Sequence, residues 1–100
     1  MTAEDKEKCA VIMEHYGMIS QINILVEECA ELIQAAQKLK RLEYKSAAAR
    51  RNFVEELADV SIMIQQMLSP DDAPVERYQK TITEKLNRQL QRIAAEREKE

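Results

Sequence analysis

The chain has 100 residues, 45% of them hydrophobic and 33% charged, which predicts a single domain with a real core. The sequence contains one glycine and two prolines, too few for many hairpin turns or for a Gly-rich phosphate loop. This composition favours long helices. A net charge of -3 gives no basic surface for nucleic acid, and two cysteines without a CxxC spacing argue against a disulfide scaffold or a zinc site.

The first two predicted helices meet at the only glycine. The first helix begins at Thr2, which together with Asp5 matches a capping box, and it ends just before Gly17. The second helix is predicted over about residues 18–43, where good helix formers dominate.

The last two predicted helices flank a proline-rich break. The third covers about residues 47–68 and follows a weak connector in which Ser46 is the candidate N-cap. The stretch "SPDDAP" interrupts the chain, and a fourth helix is predicted over about residues 74–97 with Asp72 as its N-cap.

The second and third helices are apolar on more than one side. Their main stripes, predicted to face the core, consist of Ile22, Leu25, Val26, Cys29, Leu32, Ile33 and Ala36, and of Phe53, Leu57, Val60, Ile64 and Met67. A second apolar side carries Ile24, Ala35, Ile62 and Met63. A chain this short cannot cover all of that surface alone. The prediction is therefore one all-α domain over residues 1–100, a small antiparallel bundle of about four helices completed by homo-oligomerisation.

Two acidic clusters interrupt the most core-like stretches, "VEECAELIQ" and "VEELADVSI". Glu28 and Glu31 are three residues apart on one helix and project together, as do Glu56 and Asp59 on the next. In an antiparallel hairpin, Glu31 lies about 18 Å from the turn and Glu56 about 14 Å from it. The two pairs are therefore expected to meet at one level.

Four facing carboxylates repel one another unless some protonate or a cation enters. Oxygen ligands without His or Cys suit Mg²⁺, with Mn²⁺ as the alternative, and Mg²⁺ usually shares its shell with substrate phosphates. A solvated helix face with i,i+4 ion pairs remains open as the simpler interpretation. A di-iron bundle would require Glu-x-x-His, and His15, the only histidine, lies outside both clusters.

The paired motifs "EECAE" and "EELAD" resemble the EExxE…ExxD signature of MazG-like all-α nucleoside triphosphate pyrophosphohydrolases. The resemblance spans roughly residues 12–93 and includes "HYGMISQINILVEECAELIQAAQKLKR", "NFVEELADVSIMIQQM" and "EKLNRQLQRI". It implies a helical homodimer or homotetramer that uses Mg²⁺ to hydrolyse a nucleoside triphosphate to the monophosphate and pyrophosphate.

The same resemblance assigns residues. It implies that the metal ligands are Glu28, Glu31, Glu56 and Asp59. It implies a catalytic role for Glu27, either by contacting the metal ligands without binding the ion itself or as the base for the attacking water. The phosphate-binding residues it implies, on the fourth helix, are Lys85, Arg88 and Arg92. Candidates for lining a base pocket near the first turn are His15, Tyr16, Gln21 and Asn23.

The alternative function is a catalytically silent helical interaction or regulatory module that shares the fold. For either function the cytoplasm is the expected compartment, because "MTAEDKEK" is unlike a signal peptide and no apolar run approaches the ~20 residues of a membrane span. No nucleic-acid or membrane partner is expected.

Overall fold

The computed structural model describes residues 1–99 and, over that range, contains four α-helices and no strand. The helices are α1 (Ala3–Tyr16), α2 (Met18–Arg41), α3 (Ala47–Met67) and α4 (Val75–Glu98). The prediction of an all-α fold with four helices is confirmed.

The start of α1 and the junction of α1 with α2 follow from local chemistry. The Thr2 hydroxyl accepts a hydrogen bond from the Asp5 backbone N–H at 3.0 Å, and the Asp5 carboxylate accepts one from the Thr2 N–H at 3.4 Å, which confirms the capping box. Gly17 separates the helices with φ 87° and ψ 162°, a conformation essentially reserved for glycine. Over residues 1–99, no single helix is long and apolar enough to cross a membrane. Only α1 and α2 taken together reach that length and composition, and they are bent by 116°.

A short turn joins α2 to α3 and is fastened by an arginine. Glu43 and Tyr44 adopt left-handed backbone conformations, with φ of 53° and 64°, so α2 ends at Arg41, two residues before the predicted end. The Arg50 guanidinium donates a hydrogen bond to the Tyr44 carbonyl at 2.6 Å and lies 5.6 Å from the centroid of its ring. The Ser46 hydroxyl accepts a hydrogen bond from the backbone N–H of the third residue of α3, Ala49, as expected of an N-cap.

The start of α4 differs from the prediction. Pro74 occupies the N-cap position and no side chain caps the helix, so the prediction of Asp72 as N-cap is wrong. A turn closed by the hydrogen bond from the Ala73 N–H to the Pro70 carbonyl, at 2.9 Å, places Asp72 before the helix begins.

Within the protomer, three helices pack and the fourth projects. α2 and α3 form an antiparallel pair, α1 packs on both of them, and α4 packs on none of the three. The buried residues are Cys9, Met13, Gln21, Ala35, Leu39, Ala49, Met63 and Gln66. α4 has no buried residue, and its Leu86 and Leu90 are 61% and 63% exposed.

The overall shape is far from that of a compact monomer. The radius of gyration is 17.1 Å, whereas a compact 100-residue domain has about 13 Å. The accessible surface is 8108 Å², against about 5,800 Å² for a compact monomer of this mass. The chain therefore exposes an excess of about 2,300 Å² by the same scaling.

Only part of the predicted core stripes packs inside the protomer. On α2 the predicted core stripe stays exposed at Val26 and Ile33 (63% and 62%), while Ala35, on the other apolar side, is buried against α3. On α3, Leu57 is likewise exposed and Met63 buried. The main stripes are thus only partly covered within one protomer, and the seam between α2 and α3 also uses the sides that carry the carboxylates.

Candidate metal centre

Four carboxylates converge between α2 and α3. One oxygen from each of Glu28, Glu31, Glu56 and Asp59 lies within 4.8 Å of the corresponding oxygens of the other three. α2 supplies the first pair and α3 the second, each pair spaced by three residues so that both members project from one face. The prediction that the two pairs meet is confirmed.

Two of the four carboxylates are set into the seam itself. Glu28 and Glu56 are half-buried, whereas Glu31 is exposed at the opening. The Oε2 atoms of Glu28 and Glu56 are each buried and have no hydrogen-bond partner. A buried polar atom without a partner loses its hydration without compensation, so this arrangement is unfavourable for ionised carboxylates alone.

The same surroundings shift the acidity of these two groups. Burial, followed by the negative charges of Glu31, Asp59 and Glu56, raises the pKa of the Glu28 carboxyl above its ordinary value. Burial, followed by the charges of Glu31 and Asp59, raises the pKa of the Glu56 carboxyl in the same direction. Both pKa shifts indicate that full ionisation of the four carboxylates is unfavourable without a cation.

No basic side chain of residues 1–99 forms an ion pair with the cluster. The ion pairs of this part of the chain are Lys8–Glu4 at 3.3 Å, Lys45–Glu43 at 3.0 Å and Lys80–Glu84 at 4.0 Å, all with exposed side chains. Within residues 1–99, the concentrated negative charge between α2 and α3 is thus not paired with a basic side chain.

The cluster fits a small divalent cation. Octahedral Mg²⁺ at about 2.1 Å from each ligand spaces its ligand oxygens about 3 Å apart in cis and about 4.2 Å apart in trans. A spread of 4.8 Å is wider than that by about half an ångström, which small side-chain rotations remove. The donor set is made of carboxylate oxygens alone and therefore suits Mg²⁺ or Mn²⁺ better than zinc or copper.

The other residues that the sequence associates with catalysis lie outside the cluster. Glu27 precedes Glu28 in α2 and is exposed. Lys85, Arg88 and Arg92 are exposed on α4, which packs on neither α2 nor α3. One protomer therefore does not pack the basic helix against the carboxylates.

The candidates for base recognition are corrected at one position. Gln21 is buried, and its Nε2 donates a hydrogen bond of 2.7 Å to Oε1 of Gln66, so it is not free to bind a base. His15 and Tyr16 are exposed and contact each other edge to face, with ring centroids 4.6 Å apart. Gln66 could not be singled out by its residue type, since most glutamines on helices are solvated.

A comparison of the chain with protein-family models, with curated proteins and with solved structures finds no match in any of the three. The resemblance of "EECAE" and "EELAD" to the MazG-like signature therefore rests on these residues themselves.

Proposed function

We propose that this chain is a Mg²⁺-dependent pyrophosphohydrolase that converts a nucleoside or deoxynucleoside triphosphate to the monophosphate and pyrophosphate. The observation that supports it most is the seam with four converging carboxylates, in which Oε2 of Glu28 and Oε2 of Glu56 are buried without partners. A divalent cation would satisfy both orphaned oxygens and offset the charge. The motif resemblance points to the same chemistry.

In this proposal the metal ligands differ in how far they are buried in the seam between α2 and α3. Glu28 and Glu56, whose Oε2 atoms are buried in the seam, would hold the ion, and Glu31 would contact it from the exposed side. The bound ion supplies neutralisation of phosphate charge and a lowered pKa of a coordinated water. Glu27, exposed one residue away, is the proposed acceptor of the proton from the attacking water.

We also propose that the enzyme is a homodimer or homotetramer. The excess surface of about 2,300 Å² is well above the ~800 Å² that each partner buries in a standard interface. Val26, Ile33 and Leu57 add exposed apolar side chains on the α2–α3 hairpin. The phosphate-binding role proposed for the basic residues of α4 depends on this assembly, since α4 packs on no helix of its own protomer.

A catalytically silent interaction module is the second candidate, and the exposed apolar surface is the observation that favours it. The two candidates differ in what they require of the carboxylates. An interaction module needs its apolar faces alone, whereas the enzyme needs the acidic cluster for ion binding and turnover.

The deciding experiment incubates the protein with each of the eight common nucleoside and deoxynucleoside triphosphates and Mg²⁺, and measures pyrophosphate release. Glu56→Gln is expected to abolish release while leaving the protein folded. The matched control is Glu55→Gln, which removes the same charge from the neighbouring exposed position of α3 and is expected to retain activity. Absence of turnover with every triphosphate, together with no stabilisation by Mg²⁺, would exclude the enzyme in favour of the interaction module.

A further inference from the structure

We infer that the buried Gln21–Gln66 pair is a positioning pair, which sets the axial register of α2 against α3 and thereby holds the four carboxylates at one level. The register itself is a property of the metal-free fold. Its consequence for ion binding rests on the proposed function.

The pair is the most completely enclosed polar contact of the fold. Gln66 is 2% exposed and Gln21 is 5% exposed. Gln21 Nε2 donates to Gln66 Oε1 at 2.7 Å, and Gln66 Nε2 faces the Met63 sulfur at 3.6 Å. Each buried amide therefore depends on the other helix, or on its immediate neighbours, for its hydrogen bonding.

The alignment of α2 and α3 that pairs Gln21 with Gln66 is the same alignment that brings the carboxylates together. Glu28 lies seven residues after Gln21, and Asp59 lies seven residues before Gln66. Seven residues are about two helical turns, or about 10.5 Å, so both helices carry their carboxylates to the same level along the seam. The same holds one turn further on, where Glu31 and Glu56 are each ten residues from the corresponding glutamine.

The other contacts of the seam specify this register poorly. Ala35, Leu39 and Ala49 are buried apolar residues, and apolar contacts have little directional preference. The carboxylate oxygens lie within 4.8 Å of one another, so their like charges oppose the alignment that brings them together. A slip of α3 by one turn would separate Gln21 Nε2 from Gln66 Oε1 and leave these two buried atoms without the hydrogen bond that joins them, an outcome that is costly in a dry seam.

The glutamine pair also lies where register control is needed. The turn at Glu43 and Tyr44 constrains one end of the hairpin, and Gln21 and Gln66 join α2 to α3 near the other end. The carboxylate cluster lies between these two constraints. Setting helix register is the best-attested use of a buried polar pair.

The test replaces both glutamines by the near-isosteric apolar residue, in the double variant Gln21→Met/Gln66→Met. Replacing both partners of a buried hydrogen bond by apolar groups of similar shape leaves stability nearly unchanged or raises it. The matched control is Gln34→Met/Gln65→Met, which makes the same replacement on the same two helices outside the pair. Urea unfolding, amide NMR spectra without metal, and the Mg²⁺ dissociation constant from calorimetry are measured for all three proteins.

The expected result for the double variant is unchanged or higher stability, doubled or broadened metal-free amide signals around the four carboxylates, and Mg²⁺ binding weakened about tenfold or more. The control is expected to match the wild type in all three measurements. A single sharp set of signals, with Mg²⁺ affinity within about twofold of the wild type, would show that the pair merely fills the seam and would overturn the inference.

The two proposals fail in different ways. If the wild type binds no Mg²⁺, the proposed function fails, while the metal-free spectra still decide the register. If the double variant does not fold, Gln66→Glu and Gln66→Met carry the test. Gln66→Glu keeps an acceptor for the Gln21 amide and is expected to retain a single set of signals, whereas Gln66→Met removes the acceptor and is expected to lose it. Equal spectra for these two variants would overturn the inference.

Discussion

Ile33→Asp is expected to dissociate the proposed oligomer. Ile33 is 62% exposed in the protomer and lies, with Val26, on the part of the apolar stripe of α2 that stays uncovered. Full burial of an isoleucine is worth about 1.5–3 kcal/mol, so covering its exposed part contributes about 1–2 kcal/mol in each copy. In a two-fold symmetric dimer the residue occurs twice, which gives about 2–4 kcal/mol. At 1.4 kcal/mol per factor of ten, the dissociation constant should rise about 30- to 700-fold, before the cost of dehydrating the new carboxylate is added.

Sedimentation velocity from micromolar to submillimolar concentration measures this change, and circular dichroism shows whether the variant remains helical. The matched control is Val11→Asp, which places the same carboxylate at a 67%-exposed apolar position of α1, outside the stripes of the hairpin. The reasoning is refuted if the wild type sediments as a monomer throughout this range. It is also refuted if Ile33→Asp associates as strongly as the wild type and Val11→Asp.

Three further changes follow from individual features of the protomer. Because the folded-state pKa values of Glu28 and Glu56 are raised above the ordinary 4.5, the folded state binds more protons than the unfolded chain above that pH. The contribution of these groups to metal-free stability is therefore lost as pH rises above the ordinary value. The wild type should lose stability with rising pH relative to Glu28→Gln/Glu56→Gln in urea unfolding, and equal pH profiles would contradict this. Gly17→Ala should destabilise the fold by about 1–3 kcal/mol in the same assay, because alanine is strained at φ 87°. No atom lies within 4 Å of the added methyl group, so the backbone conformation is the whole cause. An unchanged urea midpoint would argue against a strained junction. Arg50→Ala should lower the free energy of unfolding by about 1–2 kcal/mol, because it removes the hydrogen bond to the α2–α3 turn. The control Arg51→Ala, at the exposed neighbouring position, should change it by less than about 0.5 kcal/mol. Equal effects of the two substitutions would show that the Arg50 contact contributes nothing.

Helix ends were predictable where their chemistry is local. The capping box of Thr2 and Asp5, the glycine at position 17 and the serine cap of α3 depend on residues within three positions of one another, and the structure confirms each. The N-cap of α4 was mispredicted because a turn before Pro74 places Asp72 outside the helix.

The packing of the helices was less predictable, because sequence periodicity shows which side of a helix is apolar but not which element packs against that side. α2 carries two such sides, and the one with Ala35 packs against α3 while the one with Ile33 remains open. The meeting of the acidic pairs was predictable, since it follows from the rise per residue in two adjacent helices. The glutamine pair was not predicted from residue type, although its spacing of seven from Glu28 and Asp59 was present in the sequence.

The connection between α2 and α3 has a consequence for the order of folding. The four carboxylates come from residues 28–59, two consecutive helices joined by one short turn. Because the two helices are consecutive in the chain, closure of this one hairpin is the step that brings the like charges together. Their repulsion then opposes the folding step itself, and a cation that relieves it accelerates folding in addition to slowing unfolding. Refolding rates with and without Mg²⁺ separate these two effects, and an unchanged folding rate would place the meeting of the charges after the barrier.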